Sequence, residues 1–300
     1  MKAKIDLHMH SHYSDGELSP EKLVKECKKL GLEIISLTDH ETVWGVEEAI
    51  KAGKKSGISV IPGIEFSCNF QEQEQHLLGY FIDGFGQLAT GYKNPELLEF
   101  LKEVGRKRRE RFLKMIERLK NLGFFIEYSE VKKYARGSLT RPHLARAIIK
   151  NKKNARKLKE LRIDTKFESE FFKKYLTEGK GAYQDWERPS ASEVIKLLKK
   201  SGGIAVWTHP KWKCGGYKET MTKALELREL GLGGMEVFYT RHTQDQTKEL
   251  FQIAKELGLA VTAGSDFHSS NFSQYNKIFA WQDFGIEEDF LWLKEKSSVS

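Results

Sequence analysis

The chain has 300 residues, 39% of them hydrophobic and 31% charged, the balance of a soluble globular protein with room for a full core, either one α/β barrel or two ordinary domains. No stretch approaches the roughly 20 apolar residues of a membrane span and no signal-peptide core is present; Cys27, Cys68 and Cys214 lie too far apart for a disulfide framework, so a reducing, cytoplasmic setting is expected. The net charge of +8 is uneven: residues 94–180 carry 25 Lys/Arg against 12 Asp/Glu, which suits a polyanionic ligand or a solvated helical surface and leaves the remainder net acidic.

In chain order, Lys4 to Met9 reads as a buried strand, followed by a helix opened by Ser19-Pro20 and closed at Gly31. A strand over Glu33 to Leu37, a helix over Val46 to Lys55, and strands over Ser59 to Ile61 and Gln75 to Phe81 give a βαβ rhythm, which predicts parallel strands. From Pro95 the pattern becomes helical and charged: Glu96 to Leu122, a segment near Ser129 to Tyr134, Arg141 to Lys150, and Lys166 to Leu176. Phe112, Met115, Ile116 and Leu119 recur there at helical spacing and are predicted core. The βα alternation resumes with a capping box at Ser190 and Glu193, a strand over Gly203 to Thr208, a helix over Glu219 to Leu230, and a strand over Gly234 to Phe238. A helix capped by Thr243 and Gln246 and a strand over Ala260 to Thr262 follow. Residues 1–94 and 181–300 thus read as two parts of one barrel, interrupted by a basic helical insertion at 95–180.

Against this frame the histidines and acids fall where strands end. His8 and His10 lie two apart in an extended segment, so they share a face and can converge on one ion. Asp15 follows in Ser-Asp-Gly, His40 in Thr-Asp-His, Glu65 after a buried strand, His76 before an apolar run, His209 in Thr-His-Pro, and Asp266 and His268 in Gly-Ser-Asp-Phe-His. Imidazoles and carboxylates without thiolates suit Zn, Mn or Fe in a hydrolytic site, and nine ligands suffice for two or three divalent ions, with Glu65 the natural bridge. Taken singly each has a plainer reading: Asp15 as a turn residue, His76 as a half-buried histidine, His12 as a supporting or surface residue, Asp39 as an orienter of His40 or a nearby helix.

The segments Asp6-Leu7-His8-Met9-His10-Ser11, Ser14-Asp15-Gly16, Thr38-Asp39-His40, Gly63-Ile64-Glu65, Thr208-His209-Pro210 and Gly264-Ser265-Asp266-Phe267-His268 together resemble the ordered motifs of the polymerase and histidinol phosphatase (PHP) superfamily. The resemblance covers essentially the whole chain. It implies a distorted (β/α)7 barrel and a trinuclear centre: one metal on His8, His10, Glu65 and Asp266, a second on Glu65, His76 and His209, a third on Asp15, His40 and His268. Clustered divalent ions are expected to hydrolyse phosphate esters through a metal-bridging hydroxide, with Asp266, Glu65 and His242 carrying the chemistry.

Substrate choice is expected from Thr140-Arg141-Pro142-His143, where a guanidinium, an imidazole and a helix N-terminus make a phosphate site, the plainer reading being Arg141 as a surface charge and His143 as a cap. These residues resemble the PHP branch that acts on nucleoside 3′,5′-bisphosphates and on short RNA from its 5′ end. His242 is the further candidate for a phosphate donor or general acid; Tyr183 and Trp186 are available to stack on a base; Arg241 has no assigned role. The expected partner is a small phosphorylated molecule, a nucleotide or short RNA, with no membrane and no obligate protein partner. Histidinol-phosphate phosphatase is the alternative enzyme, and a metal-stabilised nucleic-acid-binding module the non-catalytic alternative.

Overall fold

In the computed structural model, which describes residues 5–82, 89–212, 214–269 and 278, seven strands follow one another around a single sheet in chain order. β1 (Ile5–Asp6), β2 (Ile34–Leu37) and β3 (Ser59–Phe70) are parallel, as are β5 (Ile204–Trp207), β6 (Gly234–Tyr239) and β7 (Ala260–Gly264). The last strand returns to the first. The Leu7 amide donates to the Ala263 carbonyl at 2.9 Å and a parallel bridge joins Met9 to Phe267, so the sheet closes into a barrel.

The expected parallel rhythm fails at one place. β4 (Gln73–Tyr80) runs antiparallel to both β3 and β5. Its connection to β3 is too short for a crossover: only Gln71 and Glu72 intervene, with φ of 51° and 60°, the positive pair that a tight two-residue hairpin requires. β3 is also longer than the predicted Ser59 to Ile61, so Glu65 lies within a strand rather than after one. The reversal matters for chemistry, because it brings the first half of β4, with His76, to the barrel end where the parallel strands finish. Ser67 of β3 pairs with His76.

Helices α1 (Pro20–Lys29) and α2 (Val46–Ser56) connect the first strands, and α8 (Ala191–Lys200), α9 (Tyr217–Glu229) and α10 (Gln244–Leu257) serve the second half. Their ends follow the sequence signals. Ser19 caps α1, reciprocal capping boxes form at Ser190/Glu193 and Thr243/Gln246, and Gly258 closes α10 in the left-handed conformation.

Between the halves lie α3 (Pro95–Asn121), α4 (Tyr128–Lys132), α5 (Arg141–Lys150), α6 (Ala155–Glu160) and α7 (Glu168–Phe171), the last continuing into a π-helical turn at Phe172–Leu176. α3 belongs to two cores. Leu97 and Leu101 near its start pack with the barrel residues Phe66, Tyr80 and Trp207, whereas Phe112, Met115, Ile116 and Leu119 pack with Leu144, Ile148 and Phe171 of the later helices. A helix of this length, about 40 Å at the standard rise, is a rigid spine joining the two.

Phe171 is fully buried, with its ring 5.2 Å from Phe124 and 4.9 Å from Tyr175. Phe171→Ala is expected to cost about 3–5 kcal/mol, read as a lower urea midpoint; a loss below about 1 kcal/mol would contradict the packing described.

Candidate metal centre

The site is assembled at one rim of the barrel. His8 and His10 alternate with Met9 beyond β1; both are fully buried and their rings lie 5.3 Å apart. Both Nε2 atoms approach the same two carboxylates: His8 at 3.3 Å from Glu65 and 3.5 Å from Asp266, His10 at 3.2 and 3.3 Å. Glu65 is the hub, because His40, His76 and His209 also reach it, at 3.2, 2.8 and 3.3 Å. On the far side of His10, Asp15 faces His268 at 3.4 Å and His40 at 3.9 Å. Three groups therefore gather ligand atoms within 4.8 Å of one another: His8, His10, Glu65 and Asp266; His10, Asp15, His40 and His268; and His40, Glu65 and His76. His209 stands beside the third, its ring 5.2 Å from His76. His12 is half-buried and joins none of them.

Cations fit this donor set. His8 Nε2, His10 Nε2, His40 Nδ1, His76 Nε2, Asp15 Oδ1 and Glu65 Oε2 are buried without a hydrogen bond, although such atoms are normally satisfied, and a shared positive ion satisfies lone pairs that converge. Burial alone would raise the carboxyl groups, but the imidazoles around Glu65, Asp15 and Asp266 hold all three below the usual carboxylate range.

Residues outside the nine hold the ligands in place, and Glu236 among them was passed over by sequence reasoning. Glu236, fully buried in β6, accepts from Thr208 Oγ1 at 2.6 Å and from the His209 amide at 2.8 Å, while His8 Nδ1 lies 3.0 Å from its other oxygen. This is the carboxylate-behind-histidine arrangement that fixes tautomer and ring orientation. A signal was present: a glutamate inside an apolar strand must be buried for a reason. Asp39 was expected to orient His40 or a helix; it instead accepts from the Ser11 amide and hydroxyl, both at 2.7 Å, and from the Ser14 hydroxyl at 2.6 Å, shaping the turn that carries Asp15. Tyr239 donates to Asp266 at 3.1 Å. Two glycines leave space for this: a Cβ on Gly16 would come 2.1 Å from the His10 carbonyl, and one on Gly264 would come 2.3 Å from His8 Cβ. Glu41, His209 and Asp266 adopt φ of 45°, 32° and 55°, strain that the hydrogen bonds around the ligands sustain.

Above this floor opens a cavity of about 340 Å³ whose wall is cationic, with Arg108, Arg111, Arg141 and Arg241 among its lining. Arg141, at the first turn of α5, lies over Phe172 and Tyr183 and only 3.8 Å from Glu74. Arg111 has a buried Nη2 without a hydrogen bond; burial and the guanidinia of Arg141 and Arg108 push it down to about 9, still cationic at neutral pH. Lys211 also lines the cavity, but its ammonium is occupied by Gly215, Thr220 and Glu249.

Two other expected substrate residues, His143 and Trp186, are absent from the cavity lining. His143 is fully buried and absent from the cavity lining; its Nδ1 accepts the Thr140 amide at 3.1 Å, so it caps α5. Trp186 is buried, with the guanidinia of Arg108 and Arg188 5.4 and 5.7 Å from its ring, and offers no face to a base. His242 does line the cavity. Its Nδ1 meets the Val237 carbonyl at 3.0 Å and burial lowers it to about 4, so at neutral pH Nδ1–H donates and the buried Nε2 is left as an acceptor. Acting as an acid requires a proton that burial opposes and a bound phosphate favours.

Convergent imidazoles and carboxylates beneath a guanidinium wall, at the rim of a seven-stranded α/β barrel, define a metal-dependent phosphoesterase. The family profile of the PHP domain matches residues 6–205, and the chain belongs to that family. It is 33% identical over 269 residues to a 5′-3′ exoribonuclease of Haemophilus influenzae, covering 89% of this chain and 91% of the relative. It is 28% identical to a 3′,5′-nucleoside bisphosphate phosphatase of Chromobacterium violaceum, covering 89% and 88%. A crystal structure from Bifidobacterium adolescentis, assigned as a metal-dependent phosphoesterase, superposes with a TM-score of 0.78 at 26% identity, over 92% of this chain and 91% of that one.

Glu236→Gln is expected to weaken divalent-ion retention about 10- to 100-fold in a metal titration, and unchanged affinity would remove its supporting role. A second expectation concerns acid. Burial lowers His143 from 6.5 to about 4, so the unfolded chain binds a proton that the folded one refuses. Stability therefore falls as pH drops from 6.5 toward 4. His143→Asn should flatten that dependence in urea titrations of metal-loaded protein; an unaltered slope would contradict it.

Proposed function

We propose that this chain hydrolyses phosphate esters of nucleotides, either a nucleoside 3′,5′-bisphosphate or the 5′ end of a short RNA. The observation that carries the reading is the cavity itself, which joins a floor of metal-ligand atoms to a wall of guanidinia within one space. The activities borne in the names of the two relatives support the nucleotide class.

Two or three divalent ions, Mn, Fe or Zn, would be held by His8, His10, Glu65 and Asp266, by Glu65, His76 and His209, and by Asp15, His40 and His268, with His10 shared at the third corner. When bound, such ions supply Lewis acidity toward the phosphoryl oxygens and a water acidic enough to serve as nucleophile near neutral pH. Glu65 bridges the ligand groups, and Asp266, held by the Tyr239 hydroxyl, closes the first of them. Arg141 and Arg111 bind phosphate oxygens and draw the anion from solvent. His242, on the cavity lining, carries a neutral imidazole whose Nε2 can take the proton given up by the attacking water and pass it to the departing alkoxide, for a monoester and a diester alike.

The segment 95–180 forms the substrate-facing unit, because its helices α3 and α5 bring Arg108, Arg111 and Arg141 to the cavity. Free thiols at Cys27, Cys68 and Cys214 suit action in a reducing cytoplasm. The gathered donor set favours turnover over non-catalytic nucleic-acid binding, and no helix among the described residues is long and apolar enough to cross a membrane.

A Mn-reconstituted turnover panel tests the proposal. Adenosine 3′,5′-bisphosphate or a 5′-phosphorylated dinucleotide should outpace AMP and histidinol phosphate. Asp266→Asn should lower phosphate release by roughly 100-fold or more while circular dichroism stays unchanged. Preference for histidinol phosphate, or full release by the variant, would sink the assignment.

A further inference from the structure

Five Lys and Arg side chains line the cavity, and four of them are held by protein partners. Arg108 pairs with Glu41 and donates to the Leu139 carbonyl, Arg111 donates to the Gln184 carbonyl, Arg141 faces Glu74, and Lys211 is taken up by Glu249 and Thr220. Arg241 is the fifth. Among the described residues it makes no hydrogen bond and no ion pair; it is exposed, and its guanidinium lies over the Tyr239 ring at 5.8 Å. Its place is nevertheless fixed, because the turn after β6 that carries it is tied to the segment after β7 that carries Asp266. Tyr239 donates to the Asp266 carboxylate at 3.1 Å and Thr240 Oγ1 to the Ser265 carbonyl at 3.2 Å, while the His242 amide closes the turn on the Tyr239 carbonyl at 3.0 Å. The Asp266 carboxylate acts electrostatically on Arg241 from beyond ion-pair distance. With cations on the ligand floor that carboxylate is neutralised by them, and the guanidinium charge is left to the cavity.

We propose that Arg241 is a catalytic residue whose guanidinium takes a non-bridging oxygen of the phosphoryl group under attack, beside His242; this rests on the assignment above of the cavity to phosphate ester hydrolysis. Arg241 and His242 are consecutive and both line the cavity, so one turn sets a permanent positive charge next to a neutral imidazole. Unlike groups serve different atoms of one phosphate. Arg241 moves no proton: the oxygen of water joins phosphorus, the ester oxygen leaves with the proton that His242 passes on, and the guanidinium offsets the charge spread over the remaining oxygens. Arg108, Arg111 and Arg141 come from the insertion and already have protein partners, whereas Arg241 gives up no hydrogen bond when it engages the substrate. An interaction gained in that way as charge develops lowers the barrier rather than merely tightening binding. The competing role is structural, a cation over Tyr239 that steadies the segment of Asp266.

The test compares wild type, Arg241→Ala and Arg241→Lys, all metal-loaded, on a 5′-phosphorylated dinucleotide and on p-nitrophenyl phosphate. Arg241→Ala should lower kcat roughly 100-fold or more on both substrates, with KM within about threefold and metal content unchanged. Added guanidinium chloride should restore part of that loss in Arg241→Ala and none in wild type, and Arg241→Lys should recover only a fraction because it lacks the planar fork. A loss accompanied by metal release and indifferent to guanidinium would identify a structural role, and a kcat within twofold of wild type would remove the role altogether; either overturns the proposal. Orthovanadate, titrated calorimetrically into metal-loaded protein, needs no turnover and should bind Arg241→Ala at least about 10-fold more weakly. That weakening without hydrolysis of any nucleotide would uphold Arg241 and sink the proposed substrate; nucleotide turnover and vanadate binding that ignore the substitution would do the reverse.

Discussion

Glu65 is fully buried, and imidazole nitrogens of five histidines, His8, His10, His40, His76 and His209, lie within 3.3 Å of its carboxylate. A charge so placed has lost its water, and the cost of that loss is several kcal/mol unless positive charge stands against it. Protons on the imidazoles or shared cations meet the requirement, and only cations satisfy all the converging lone pairs together. The close approach of Gly264 to His8, the turn around Asp39 and the strained backbone at His209 and Asp266 are arrangements that keep this cluster intact. The barrel supplies what they need, namely strands that terminate together.

The helical insertion is fastened to the same cluster. Arg108 of α3 reaches the barrel to pair with Glu41 and approach Ser67, one residue beyond His40 and two beyond Glu65. Glu74, two residues before His76, is met by Arg188 at 3.1 Å and Arg141 at 3.8 Å. Buried pairs of this kind add little net stability, but they fix orientation, since breaking one leaves a stranded charge. Arg108 and Arg141 therefore join the insertion to the barrel and also line the cavity. Positive charge is thus held beside the ligand floor, on the lining of the same cavity.

Much of this was legible in order along the chain. Ser19-Pro20, Ser190 to Glu193 and Thr243 to Gln246 mark helix starts that form, because a cap is settled within four residues. The helical spacing of Phe112, Met115, Ile116 and Leu119 reports a buried face for the same local reason. The antiparallel β4 escaped, since Gln71-Glu72 lacks the Asn-Gly chemistry that usually announces a tight hairpin. The burial of Trp186 and the capping contact of His143 were not legible, because residue type reveals what a side chain can bind but not which way it faces.

The sequence by itself determined the inventory of the site: nine metal-ligand candidates, their residue types, and the α/β rhythm that would bring strand ends together. Those properties are local, written in spacing and chemistry. Tertiary structure alone decided that Glu65 is the hub, that Glu236 stands behind His8, that Arg111 and Trp212 reach the cavity, and that His143 is buried. Each depends on contacts between residues far apart in the chain, such as the 228 that separate His8 from Glu236. Distances of that kind are set by barrel closure and side-chain packing, which no short stretch of sequence encodes.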